Sequence, residues 1–212
     1  MSDNNSISTT VGIRTSYNID SCLDDYDVRI EPKVIWVTNF DEDSAKQFAL
    51  DMNQAHNTGQ AIIPVIIDSY GGEVYSLLSM ISEINAAELP VATIVKGKAM
   101  SCGSFLAAAG TKGYRYCDPE ATYMIHEVSS MAWGKTEEVK SDAAETDRLN
   151  NRVFKILDQK CGQSAGYFLD MVHQKKHADW YLSAMAAKRQ KLVDHIKLPK
   201  MNVKISVDWE LE

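Results

Sequence analysis

Three short apolar segments recur in the first half of the chain, each followed by a stretch of helical period, and this alternation restricts the fold more than any other feature. The segments are residues 34–38, 62–67 and 91–95, rich in Val and Ile. Strands that are apolar at nearly every position are buried on both faces. Between them, residues 41–56 place Ala45, Phe48, Ala49 and Met52 on one helical face, and Asn57-Thr58-Gly59 ends that helix. Residues 74–87 do the same with Leu77, Leu78, Ile81 and Ile84. After the third strand, Lys96-Gly97-Lys98 reads as a turn into a short helix over 101–109. Strand–helix alternation at these lengths predicts an α/β fold with a parallel sheet covered by helices.

The second half is less regular. Residues 113–117 and 121–125 read as two short strands, and 135–160 as one long helix with Val139, Ala143, Leu149, Val153, Ile156 and Leu157 as its apolar stripe. Cys161-Gly162 is a helix stop. Two shorter helices and a strand at 192–196 complete the expected core. Residues 1–31 are polar and read as a flexible arm, and 198–212 as a charged tail whose alternation at 203–207 suits an edge strand.

Composition excludes several function classes. The 212 residues carry 22 basic and 29 acidic side chains, a net charge of −7. Such a chain is poorly suited to bind nucleic acid or an anionic membrane through charge. The longest apolar run, 61–67, is far short of the ~20 residues that span a bilayer. Cys22, Cys102, Cys117 and Cys161 form no C-x-x-C pair and no zinc-ligand spacing, so no metal is expected. Their scatter and the polar N-terminus, without a leader pattern, point to a reduced, cytoplasmic setting.

Open α/β sheets carry their sites at the carboxyl ends of the strands. Gly71-Gly72 follows the second strand, where it can be a simple turn or a place where backbone N–H groups approach a ligand. Ser101, within Ala99-Met100-Ser101-Cys102-Gly103, begins a helix after the third strand. It can be an N-cap, or a nucleophile whose oxyanion faces the positive helix end. The segment half-matches the G-x-S-x-G elbow, with Ala99 in place of the first glycine. Of five histidines, only His126 ends a predicted strand, where it can act as general base to Ser101. His56, His173, His177 and His195 read as surface or satisfied residues. Asp179, beside Trp180 and Tyr181, is the acid considered for orienting a base, although many other carboxylates qualify.

Together these residues resemble the proteolytic subunit of the Clp protease. Its G-x-A-x-S-x-G pattern is matched by Gly97 to Gly103, its Ser-x-Gly-Gly turn by Ser69 to Gly72, and its Met-Ile-His strand end by Met124 to His126. Its Asp-aromatic-Leu-Ser-Ala segment is matched by Asp179, Tyr181, Leu182, Ser183 and Ala184, with Trp180 between, and Gly162-Gln163-Ser164 follows the long helix as in the family. The resemblance runs over about 33–196 with the motifs in order. It implies the Clp protease and crotonase type of α/β superhelix, built of repeated ββα and βαβ units, with a peptidase domain over 32–197 and a handle helix at about 135–160. It implies Ser101 as nucleophile, His126 as base, Asp179 as its orienting acid, and the backbone N–H groups of Gly72 and Cys102 as oxyanion hole. It further implies an endopeptidase that acts on unfolded polypeptides inside two stacked seven-membered rings. That enzyme has no cofactor of its own, and ATP is used only by a docked AAA+ unfoldase.

This chain departs from the family pattern at identifiable places. Tyr70 replaces a proline, Glu127-Val128 a Gln-Pro, and Ser129-Ser130 a glycine pair at the substrate-binding strand. Ala178 replaces the arginine that ties triad order to ring pairing, so ring pairing is expected to rest on apolar handle contacts at Val153, Phe154 and Leu157. The interval from His126 to Asp179 carries a small insertion. Ile66 and Ala86 stand at aromatic positions of the unfoldase-docking face, while Tyr116 keeps one. Rival readings are a non-catalytic subunit that co-assembles with an active one, a crotonase-type acyl-CoA enzyme, and a serine–lysine dyad using Lys96 or Lys98.

Overall fold

The computed structural model describes residues 7–13 and 32–207. In chain order the elements are β1 (Ile7–Ile13), β2 (Ile35–Val37), α1 (Glu42–His56), β3 (Ile63–Ser69), α2 (Val74–Ala86), β4 (Val91–Met100), α3 (Cys102–Ala109), β5 (Arg115–Cys117) and β6 (Thr122–Ile125). They continue as α4 (Thr136–Cys161), α5 (Tyr167–Gln174), β7 (Trp180–Ser183), α6 (Ala184–Arg189), β8 (His195–Ile196) and β9 (Met201–Val207). The fold is a mixed α/β architecture with a parallel sheet, as the alternation predicts.

The main sheet runs β2-β3-β4-β5-β8 in parallel, with β6 paired parallel to the far end of β4 and β7 antiparallel to β6. Its central strands are buried at nearly every position: Ile63, Val65 and Ile67 of β3 and Val91 and Val95 of β4 are within 1% of full burial. Helix α1 begins where Asp41 and Ser44 exchange two 2.8 Å hydrogen bonds, a capping box that satisfies otherwise orphaned N–H groups. It buries Ala45, Phe48, Met52 and Ala55.

Four features differ from the sequence expectation. Lys96-Gly97-Lys98 is not a turn, because β4 runs on through it to Met100. The β3–β4 register skips between Ile67↔Val95 and Ser69↔Ala99, and Gly97, at φ +73°, absorbs the extra residues as a bulge. This bulge swings the strand so that its second half pairs with β6 rather than β5. The four-residue strand β7 is too short to stand out, although its alternating burial marks it in three dimensions. Within the expected arm, residues 7–13 form β1 in parallel with β9, and β-branched Ile7, Thr9, Val11 and Ile13 stand at every second position; the rest of that arm lies outside the described residues.

The fourth difference concerns the long helix. Val153, Phe154 and Leu157 are buried in the subunit's own core, with Phe154 edge-on to Phe105 of α3 at 5.5 Å between ring centres. They are therefore not free for contacts between rings. Helical period identifies an apolar stripe but not which half of a 26-residue helix its own subunit covers. In this chain the first half projects, and Val139 and Ala143 are exposed.

Candidate active site

The bulged β4 delivers the chain to Ser101 at the mouth of α3. Ser101 has φ +51° and ψ −124°, a backbone conformation unfavourable for any residue with a side chain. Such strain persists only where the surroundings hold it. Its N–H donates to the Met124 carbonyl at 2.8 Å. Two residues into α3, Ser104 is fully buried, with Oγ 2.6 Å from the Ala99 carbonyl and accepting from the Met124 N–H at 3.2 Å. Together these bonds stitch the elbow to β6, the strand that His126 directly follows. Sequence reading missed Ser104, because a serine inside an apolar helical stretch carries no local signal.

His126 is the first residue after β6 and is half-buried. Its Nε2 lies 2.8 Å from Ser101 Oγ. With the ring proton on Nδ1, Nε2 accepts from the serine hydroxyl, the arrangement a general base requires. The pair sits in a small pocket walled by Gly72, Val74, Leu77, Cys102, Phe105, Val128 and Val153.

Gly72 and Cys102, whose backbone N–H groups are the expected oxyanion hole, both line this pocket. Cys102 occupies the first position of α3, where an N–H has no intrahelical acceptor. Gly72 is held opposite by a bridge to Phe40, reinforced by the Glu73 N–H donating to the Phe40 carbonyl at 2.7 Å. Between them, Gly71 has φ +106°, and a Cβ there would stand 2.7 Å from Ser101 Cβ and 2.9 Å from the Met100 carbonyl. Only glycine lets the two turns approach this closely. Burial pushes the Cys102 thiol up to about 11, and it donates to the Gly72 carbonyl at 3.2 Å. That thiol is a packing group rather than a nucleophile.

Asp179 is not joined to this pair. The last rung of the β6–β7 ladder is Ile125↔Trp180, so His126 and Asp179 are the next residues out on facing strands. Asp179 is nevertheless exposed, and among the described residues no hydrogen bond links it to His126. Instead the neighbouring Glu127 gathers two histidines that sequence reading took for surface residues. Its carboxylate meets His173 Nε2 at 3.2 Å and His177 Nδ1 at 2.5 Å. These hydrogen bonds, from His177 first, outweigh partial burial and hold Glu127 below the usual carboxylate range. Among the described residues this trio is the one group placed to hold a metal ion.

The two lysines of the rival dyad are engaged elsewhere. Lys98 donates to Asp68 at 2.8 Å and lies over the Tyr70 ring, and Lys96 lies over Trp36. Among the described residues no helix is long and apolar enough to cross a membrane. Compared with known families, residues 20–199 match the model of the Clp protease.

Proposed function

Because the chain belongs to the Clp protease family, a family of peptidases, we propose that it is a serine endopeptidase subunit acting on unfolded polypeptides. The observation that carries this reading is the 2.8 Å contact between Ser101 Oγ and His126 Nε2 at the start of α3. His126 takes the hydroxyl proton as Ser101 attacks the peptide carbonyl carbon. The Gly72 and Cys102 N–H groups receive the oxyanion. His126 then protonates the leaving amine, and an acyl-serine remains. Water, deprotonated by the same imidazole, releases the acyl group and restores Ser101. Asp179 orients His126 once its carboxylate turns onto Nδ1. The apolar walls at Leu77, Phe105 and Val153 favour an apolar side chain beside the scissile bond. A crotonase-type reaction would not need the serine–histidine contact.

The subunit works in a ring, and two features support this. The first half of α4 projects from the subunit core, and Met131 and Trp133 just before it are each 97% exposed. Apolar side chains so fully in solvent suit a subunit interface. Seven-membered rings stacked in pairs, a docked ATP-driven unfoldase and no cofactor in the subunit itself complete the proposal. Light scattering should give a mass of at least seven subunits, and a 23.7 kDa monomer at every concentration and salt would refute the ring.

The chemistry is tested with a fluorophosphonate probe on the purified chain. Labelling should map to Ser101 and vanish in Ser101→Ala and His126→Ala. Labelling at another residue, or labelling that persists in Ser101→Ala, would sink the assignment.

A further inference from the structure

The residues left over from this chemistry include one cluster with ligand geometry. Glu127, His173 and His177 bring one carboxylate oxygen and two imidazole nitrogens within 4.8 Å of one another. The two imidazole rings lie 4.5 Å apart, centre to centre. A tetrahedral ion with bonds of about 2.0–2.1 Å holds its ligand atoms roughly 3.3 Å apart. The observed 3.2 Å and 2.5 Å separations are both shorter than that value, so an ion enters as the exposed side chains move apart by up to about 0.8 Å. The side chains are 29%, 42% and 61% exposed, so an ion can enter and a water can take the fourth position.

The cluster spans two pieces of chain. Glu127 directly follows His126. His173 lies in the last turn of α5, and His177 lies three residues beyond that helix. Lys176 and His177 both have φ near +60°, which turns the chain back so that His177 comes level with His173. Asp179 follows two residues later.

We propose that Glu127, His173 and His177 form a three-ligand site for a divalent transition metal, Zn²⁺ above all, which clamps the turn preceding Asp179 to the strand end that carries His126. Two imidazoles and one carboxylate are a donor set that suits Zn²⁺ over Mg²⁺ or Ca²⁺, which prefer oxygen ligands. Each ring presents the nitrogen that faces Glu127 to the ion and keeps its single proton on the other nitrogen, so binding needs both imidazoles neutral and weakens as pH falls. The site does not depend on the peptidase reading: Glu127 also lines the Ser101 pocket, but its carboxylate is bonded to His173 and His177 and not to the Ser101–His126 pair.

The test uses the full chain stripped of metal, in the Ser101→Ala background as well as the native one. Zn²⁺ is titrated against a chromophoric chelator. One ion per subunit should bind, and His173→Ala/His177→Ala should weaken binding by at least ~100-fold, beyond the roughly 10–100-fold that follows loss of an outer-shell partner. Circular dichroism checks that the variant is folded, which these exposed positions favour. Co²⁺ should give the visible bands of a tetrahedral N/O site without thiolate charge transfer. Zn²⁺ should also slow amide exchange over residues 175–179. Equal affinity in the double variant would place the ion elsewhere and overturn the proposal, as would no binding by the native chain at millimolar Zn²⁺. Tight binding that leaves exchange at 175–179 unchanged would overturn the clamp.

Discussion

The Ser101 elbow and the turn before Asp179 lie on neighbouring strand ends, yet they are held in opposite ways. At the elbow a strained φ is fixed by buried groups: Ser104, the Met124 carbonyl, and the Gly71 approach that excludes a Cβ. At the turn, residues 173–179 are all exposed, and the left-handed pair Lys176-His177 is held by local backbone hydrogen bonds to the His173 and Val172 carbonyls and by the contacts of His173 and His177 with one half-exposed carboxylate. Preorganisation therefore resides in the proposed nucleophile, Ser101, and the proposed base, His126. Asp179, the proposed acid, is left on an exposed segment whose position an external contact can set.

That contrast predicts unequal losses. Ser101→Ala and His126→Ala should each lower kcat by on the order of 10⁶, because groups that act as a unit fail together. Asp179→Asn should cost less, on the order of 10⁴, since it removes orientation but not the reacting atoms. Both are read from hydrolysis of a fluorogenic peptide. An Asp179→Asn enzyme at full activity would break the comparison by removing Asp179 from the mechanism.

The scaffold behind the elbow should be the next most sensitive part. Buried Arg115 pairs with Asp194 at 2.6 Å and also donates to the Lys160 carbonyl near the end of α4 and the Ala108 carbonyl near the end of α3. Burial would raise the Asp194 carboxyl, but the Arg115 hydrogen bonds and charge outweigh it and hold it below its ordinary value. Asp194→Asn leaves a buried guanidinium without its counter-charge and should cost about 3 kcal/mol, at the lower end for buried pairs because Asp194 keeps some solvent. The depressed folded value means the unfolded chain binds more protons below the ordinary carboxylate pKa of ~3.9. The pair's contribution is therefore present above that pH and lost as pH falls through the folded value. Urea midpoints at pH 6 and pH 3 should diverge more in the native chain than in Asp194→Asn.

Gly71→Ala comes next. It forces both a left-handed alanine and a clash with Ser101 Cβ, and should cost ~1–3 kcal/mol while sharply slowing probe labelling. A backbone change at the exposed turn, Ala178→Gly, should leave labelling nearly untouched. The smallest effect is chemical. Burial pushes Cys102 up to about 11 and Cys161 to about 12. Roughly one Cys102 thiol in a thousand is then ionised at pH 8. Iodoacetamide should leave both intact in the folded protein and modify them after denaturation.

By itself the sequence determined the alternating α/β order, the buried strands, the serine at the helix mouth and the histidine at a strand end. Each is written in local periodicity or in a glycine position that only one backbone path tolerates. Tertiary structure alone decided the rest. The bulge at Gly97 depends on which neighbour strand is in register, and β7 exists only because β6 offers it an edge. The split of α4 into a buried and a projecting half depends on where α3 ends. His173 and His177 converge on Glu127, 46 and 50 residues away, only because α5 ends and the chain reverses beside β6. Strand pairing brings Asp179 to the position just beyond the last rung, across from His126, but the direction of its carboxylate depends on an exposed turn. Where burial fixes a residue, pattern in the sequence foretells it; where the chain is held by a few exposed polar contacts, only the folded molecule determines the outcome.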